Sequence, residues 1–163
     1  MPPIRPDQPL VASVLDRLID DDPGVTTEPP GSRAQLLRDL KASVRRDIEN
    51  LLNTRRRNAT PPAGLKELAG SLVTYGIPDF SGTGPANAKE REAFCREVED
   101  VIRANEPRLL KVAVGVAGEP EPGERTLRFR IDALLRADPA PEPVVFDSTL
   151  ETATSRFAVK GEG

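Results

Sequence analysis

Apolar residues recur along the chain at two different spacings, and the change falls at Pro107. Upstream, they return every three or four residues, which is the spacing of one helix face. Downstream, Val112, Val114 and Val116 alternate with polar or small residues, which is the spacing of a half-buried strand. Proline lacks a backbone donor and disfavours helical geometry in the preceding residue. The sequence therefore predicts helices first and a sheet last.

Two helices are predicted in the first third of the chain. A short amphipathic helix over 10–20 ends at three aspartates followed by Pro-Gly. A longer helix begins at Ser32, which forms a capping box with Gln35, and it runs to Asn53. Their apolar faces consist of Leu10 or Val11, Val14, Leu15, Leu18 and Ile19 in the short helix, and of Leu36, Leu37, Leu40, Val44, Ile48, Leu51 and Leu52 in the long one.

Two further helices are predicted before the sheet. A short one begins near Thr60 and ends at Gly76, which suits a left-handed helix end. The other begins at Asn87, which with Glu90 resembles a second capping box, and reaches about Asn105. The residues expected to point inward are Leu65, Leu68, Leu72 and Val73 in the first, and Phe94, Val98, Val101 and Ile102 in the second.

Four strands follow, over 109–117, 125–136, 144–147 and 156–160. The second alternates most clearly between an apolar and a charged face. Its apolar positions are Leu127, Phe129, Ile131 and Ala133, and its charged positions are Arg128, Arg130 and Asp132. This pattern indicates an antiparallel sheet with one solvated face. The predicted fold class is α+β, with N-terminal helices packed on a small C-terminal antiparallel sheet.

The same patterns divide the chain into three parts. Residues 1–9 contain four prolines and are predicted to form a flexible arm. Residues 10–31 comprise the short helix, which we expect to need a docking surface, and a linker. Residues 32–160 are predicted to form a single α+β domain.

Composition narrows the possible chemistry. The 163 residues include 30% charged and 4% aromatic residues, carry a net charge of -3 and contain no histidine. Without histidine, Ser-His-Asp and Cys-His catalysis and the usual zinc sites are excluded. The single cysteine, Cys95, is expected to be a packed small hydrophobe. With no long apolar run and no signal peptide, we expect a soluble cytoplasmic protein with no cofactor, no metal, no nucleic-acid partner and no membrane insertion.

Three groups of residues are candidates for function. Glu106 paired with Asp132 or Asp147 would give the two carboxyls of a glycoside hydrolase, but Arg108 would lower rather than raise the pKa of Glu106. The three consecutive arginines at 55–57 fit either a partner contact or compensation of the helix dipole. The edge strands of the sheet could accept strands from another chain. The Pro-rich segment before the third strand fits either protection of an edge or an exposed docking strand.

Four short blocks occur together in a recognisable order. They are Ser13-Val14-Leu15-Asp16-Arg17-Leu18, Leu51-Leu52-Asn53-Thr54-Arg55-Arg56, Ser71-Leu72-Val73-Thr74-Tyr75-Gly76-Ile77-Pro78-Asp79 and Glu106-Pro107-Arg108-Leu109. From about residue 10 to 150, the chain resembles the TssE family of type VI secretion baseplate wedge proteins. That family is part of the phage baseplate wedge family often labelled lysozyme-like.

The resemblance implies a structural protein and not an enzyme. It implies a cytoplasmic baseplate subunit that contacts other wedge subunits and starts sheath polymerisation by accepting strands from sheath subunits. The partner-binding residues that it implies are Glu106, Pro107, Arg108, Asn53, Thr54 and Arg55, with Leu15 and Leu18 on the docking helix. Two alternatives remain open, namely a peptidoglycan-cleaving glycoside hydrolase that uses Glu106 and a phage-tail baseplate wedge protein.

Overall fold

A computed structural model describes residues 10, 13–19, 23–24, 32–57, 62, 64–79, 87–118 and 126–161. The elements are α1 (Val14–Leu18), α2 (Arg33–Asn53), a 3-10 helix (Lys66–Gly70), α3 (Ala88–Asn105), β1 (Leu109–Val116), β2 (Thr126–Leu135), β3 (Glu142–Glu151) and β4 (Arg156–Gly161). The predicted α+β class, with helices before an antiparallel sheet, is confirmed. The arm predicted over 1–9 lies outside the described residues. Within the described part of the chain, no helix has the length and apolar character that crossing a membrane requires.

The four strands form one sheet in chain order, β1-β2-β3-β4, and each neighbouring pair is antiparallel. Its two edges are therefore β1 and β4. The expectation that the Pro-rich segment protects or exposes an edge at the third strand is wrong, because β3 is paired on both sides. The third strand is also longer than predicted. Its alternating burial continues through Ser148, a polar residue at a core position, which concealed the pattern in the sequence.

The core lies between one face of the sheet and the helices α2 and α3. Helix α3 packs on β1, and α2 packs on β4. Phe94 of α3, Phe129 of β2 and Phe157 of β4 meet at its centre, with ring centroids 5.7–6.1 Å apart. Apart from Phe146 and Cys95, aliphatic side chains fill the rest of the core.

The predictions for α2 and α3 are confirmed, with one correction at the start of α2. The Ser32 hydroxyl accepts a hydrogen bond from the Gln35 backbone N–H at 3.3 Å. The Gln35 side chain does not return to Ser32, because it donates to Asp39 and accepts from Arg38 on the next turn.

The other two predicted helices are shorter than expected. Helix α1 covers only Val14–Leu18. The start predicted at Thr60 lies outside the described residues, and over 64–76 the predicted helix is wrong. The chain forms only the five-residue 3-10 helix there, and both Leu65 and Leu72 are exposed. Glycines at 64 and 70 weaken the helical tendency that the apolar spacing suggests. Ile77, after the 3-10 helix, is fully buried.

Candidate functional site

The Glu-Pro-Arg segment at 106–108 forms the corner between α3 and β1. Glu106 ends the helix, and its backbone N–H donates to the carbonyl of Ile102 at 2.8 Å. Its side chain is buried and accepts hydrogen bonds from the Arg108 backbone N–H at 3.1 Å and from Arg108 Nε at 2.7 Å. Arg108 Nη2 also contacts the second carboxylate oxygen. Pro107 lies exposed between them. The two charged residues on either side of it stabilise the corner by binding each other.

The guanidinium of Arg108 also reaches α2. Its Nη2 donates to Oδ2 of Asp47 at 2.5 Å, and its Nη1 donates to Oγ of Ser43 at 3.0 Å. The hydrogen bond to Glu106, together with the one to Asp47, raises the pKa of Arg108 above its usual range despite the opposing effect of burial. All three guanidinium nitrogens therefore bind acceptors within the chain.

Ser43 extends these contacts to α1. Its hydroxyl accepts from Arg108 and donates to Oδ2 of Asp16 at 2.6 Å. Asp16 also accepts from the hydroxyl of Ser13 at 2.6 Å and pairs with Arg46. Burial by itself raises the pKa of Asp16, but the hydrogen bonds from Ser13, Ser43 and Arg46 outweigh it and hold that pKa well below its usual range. We call Asp16, Ser43, Asp47, Glu106 and Arg108 the polar network.

The polar network determines which side of α1 faces the domain. Because Asp16 docks the polar side of the helix on α2, the apolar side points outward. Leu15 is 55% exposed and Leu18 is 76% exposed, and Val14 is exposed as well. An exposed cluster of large apolar side chains on a short helix is typical of a protein–protein contact.

The Asn-Thr-Arg segment at 53–55 lies along the outside of β4. Asn53 Nδ2 donates to the carbonyl of Phe157 at 3.0 Å, and the N–H of Phe157 donates to Asn53 Oδ1 at 3.0 Å. The amide thus forms the two bonds that a residue of a neighbouring strand would form. Thr54 Oγ1 donates to the carbonyl of Asn50 at 2.7 Å, and Arg55 Nη2 donates to the carbonyl of Ser155 at 2.9 Å.

The three arginines do not act at the helix end as the sequence suggested. The last turn of α2 contains no basic residue, because the helix ends at Asn53. Arg55 is directed to the turn before β4, Arg56 pairs with Glu97 of α3 at 3.2 Å, and Arg57 is exposed.

A short backbone bridge joins this segment to the loop before α3. Ile77 donates its N–H to the carbonyl of Thr54 at 2.9 Å, and its carbonyl accepts from the N–H of Arg56 at 2.9 Å. Gly76 has φ +100°, and a Cβ there would lie 2.4 Å from the Thr54 carbonyl oxygen. The left-handed backbone predicted at Gly76 is confirmed, but its predicted place at a helix end is wrong, because the 3-10 helix already ends at Gly70. The close backbone approach is the steric reason for a glycine here.

The carboxylates considered for hydrolysis are not brought together. Glu106 is buried in the corner with both oxygens bonded to Arg108, whereas Asp132 and Asp147 lie on the exposed face of the sheet. Asp147 pairs there with Arg130 at 3.0 Å. Cys95 is buried, and burial followed by the charges of Glu92 and Glu99 raises the pKa of its thiol. Among the described residues, no group of three His, Cys, Asp or Glu side chains is placed to hold a metal ion.

A family model described as baseplate wedge protein gp25 matches residues 38–140, more than half of the chain. The chain belongs to the baseplate wedge protein gp25 family. The matched region includes Asp47, Asn53 and the Glu-Pro-Arg corner, whereas α1 and β4 lie outside it. No curated protein matches the chain. Membership in the wedge family identifies a structural baseplate component.

Sequence reasoning missed the residues of α2 that the corner contacts. Ser43 and Asp47 are four residues apart and therefore lie on one side of the helix. They immediately precede the apolar positions Val44 and Ile48. Two polar residues beside a predicted core face could therefore have indicated a polar contact at this point of the helix. Their partner could not be read from that spacing.

Proposed function

We propose that this wedge-family chain is a baseplate subunit of a type VI secretion system. On this proposal it works on the cytoplasmic side, binds other wedge subunits, and starts polymerisation of the contractile sheath. It does so by accepting β-strands from the first ring of sheath subunits. The observation that carries the proposal is the four-stranded open sheet, in which β1 and β4 are edge strands and one face packs on α2 and α3. Strands from another chain can be added only at such an edge.

The predicted partner-binding residues have different parts in this proposal. Glu106, Pro107 and Arg108 act by holding β1 against α2 in a fixed position. Asn53, Thr54 and Arg55 act in the same way on β4 and on the turn before it. These six residues therefore shape the sheet that the sheath recognises, and all of their side chains except that of the exposed Pro107 are already engaged within the chain.

Leu15 and Leu18 are the direct contact with other wedge subunits in this proposal. Their side chains point away from the domain while Asp16 anchors the same helix. Burying two leucines in an interface stabilises it by about 1.5–3 kcal/mol per side chain. That is enough to make α1 an important part of wedge binding.

Affinity purification from cells that contain the complete system tests both contacts. The tagged wild-type chain should recover wedge and sheath subunits of a secretion system, identified by mass spectrometry. Replacing both Leu15 and Leu18 by Glu should abolish wedge recovery. Leu72→Glu is the matched control, because Leu72 is 87% exposed but lies outside α1.

Three outcomes would count against the proposal. Equal loss of wedge subunits in the Leu72→Glu control would remove α1 as the specific contact. Recovery of phage tail proteins alone would favour the phage-tail alternative. Recovery of neither wedge nor sheath subunits from the wild type would contradict the assembly role itself.

A further inference from the structure

Three outward backbone groups of β4 are already occupied by side chains of α2, namely the N–H and carbonyl of Phe157 and the carbonyl of Val159. Asn53 binds both the N–H and the carbonyl of Phe157 at 3.0 Å. About two turns earlier in α2, Arg45 Nη1 donates to the carbonyl of Val159 at 3.0 Å. These residues alternate along the strand, as outward-facing positions in an antiparallel sheet do. Side chains of α2 thus occupy the place of a fifth strand over Phe157 and Val159, the first half of β4.

The outward groups of β1 belong to Val112, Val114 and Val116. The N–H of Ala117 donates to the carbonyl of Arg128 in β2 at 2.9 Å, so Ala117 faces β2 and its neighbour Val116 faces outward. The register of the pair places Val112 and Val114 in the same orientation.

Side chains of α3 occupy only the first half of this edge. Glu99 Oε2 accepts from the N–H of Val114 at 3.2 Å, and Arg103 Nη2 approaches the carbonyl of Val112 at 3.5 Å. Arg103 also pairs with Glu99 itself and with Asp100. Its side chain is 56% exposed, and exposed ion pairs of this kind are weak and easily displaced.

The second half of the edge is unpaired. Within the described part of the chain, no hydrogen bond reaches the carbonyl of Val114 or the N–H and carbonyl of Val116. Val116 and the adjacent Gly115 are exposed. Unpaired N–H and C=O groups at a sheet edge are a template for an extended chain.

We infer that β1, over residues 112–116, is the edge that receives the incoming strand, and that Glu99 and Arg103 are displaced from it. The inference rests on the proposed function, because it takes the occupant to be an extended segment of a sheath subunit. Main-chain hydrogen bonds supply the recognition. Ala113 and Gly115 project to the open face of the sheet and leave room there for large side chains of the added strand.

Proline substitutions at the two edges test this assignment. Val116→Pro removes one outward N–H and obstructs pairing on β1, whereas Gly161→Pro removes the outward N–H at the end of β4. The probe is the purified sheath subunit encoded in the same genome, and its affinity for each immobilised chain is measured. Val116→Pro should weaken binding by about tenfold or more, as expected for loss of more than one hydrogen bond. Gly161→Pro and Val116→Ala should bind within about twofold of the wild type.

Glu99→Ala supplies a test in the opposite direction. It frees the N–H of Val114 and releases Arg103, so the accessible edge becomes longer. Binding should become about threefold to tenfold tighter. This variant also carries the test if Val116→Pro fails to fold, as judged by circular dichroism and urea unfolding.

The outcomes separate the edge assignment from the proposed function. Binding by Val116→Pro with loss of binding by Gly161→Pro would overturn the assignment to β1 and leave the proposed function intact. Unchanged or weaker binding by Glu99→Ala would also overturn it. Absence of binding by the wild-type chain would overturn the proposed function, and the assignment with it.

Discussion

Nη2 of Arg108 lies 2.5 Å from Oδ2 of Asp47, although 61 residues separate them in the chain. This contact joins the start of β1 to the middle of α2. The same guanidinium binds both oxygens of the buried Glu106, so it neutralises a carboxylate that has little access to water. Stabilising the corner in this way therefore requires a planar group with several hydrogen-bond donors.

Arg108→Lys should destabilise the fold by about 2–4 kcal/mol, because one ammonium cannot bind Glu106, Asp47 and Ser43 together. The free energy of urea unfolding measures the loss. Arg96→Lys is the control, since Arg96 is exposed on α3 and should change stability by less than about 0.5 kcal/mol. Equal stability of the two variants would show that the corner does not depend on the guanidinium.

Gly76→Ala should destabilise the fold by about 2–4 kcal/mol, because it combines an unfavourable φ with a clash against the Thr54 carbonyl. Gly118→Ala is the matched comparison. Gly118 also has positive φ, at +78°, but no atom of the described residues lies within 4 Å of the added Cβ. It should lose only about 1 kcal/mol. Thermal or urea unfolding measures both, and equal losses would exclude the steric part of the explanation.

Two buried serines should respond in opposite directions to replacement by alanine. The hydroxyl of Ser148 has no hydrogen-bond partner among the described residues, so Ser148→Ala should stabilise the fold by about 1 kcal/mol. The hydroxyl of Ser43 bonds Arg108 and Asp16, so Ser43→Ala should destabilise it by about 1–3 kcal/mol. Urea unfolding of both variants checks the difference. Destabilisation by Ser148→Ala would indicate that its hydroxyl is satisfied in solution.

The docking of α1 should depend on pH through Asp16. Its pKa in the folded chain lies below the value of about 3.9 for an unfolded aspartate. The ionised form therefore stabilises docking fully above about pH 5, and this stabilisation is lost as the pH falls through about 4 towards the folded-state pKa. Hydrogen-exchange protection factors of the amides at 16–19, measured by NMR across this range, should show the loss.

Asp16→Asn is the control for this pH dependence. At neutral pH it should reduce the protection of α1 by about tenfold, because the charge-assisted bonds to Arg46 and Ser43 are weakened. The reduced protection should then change little on acidification. Parallel pH profiles for the wild type and the variant would assign the acid loss to other carboxylates.

Local patterns in the sequence were sufficient for the elements with regular spacing. Helix α2, helix α3 and strand β2 follow directly from their apolar periods, and Pro107 marks the change to sheet. The segment over 60–73 has the same period, yet its described residues 64–73 contain only a short 3-10 helix because glycines interrupt it. Strand β3 was underestimated because Ser148 occupies a core position.

The polar contacts depend on tertiary structure and could not be predicted in the same way. Asn53 meets Phe157 across 104 residues, and Ser43 meets Asp16 across 27. Nothing in the local spacing of Asn53 indicates that its amide will occupy a strand edge. The resemblance to wedge proteins drew attention to Asn53 and Arg108, but only the fold shows that both bind within the chain.

Helix α2 is bonded to both outer strands of the sheet or to residues next to them. Through Asn53 and Arg45 it holds the backbone of β4, and through Asp47 and Ser43 it holds the residue that precedes β1. The two outer strands are separated by three interstrand spacings, or about 14 Å. Because one rigid helix is bonded at both sides, the sheet resists being opened between its strands. A strand from another chain can lengthen this sheet at its margin but cannot be inserted into its interior.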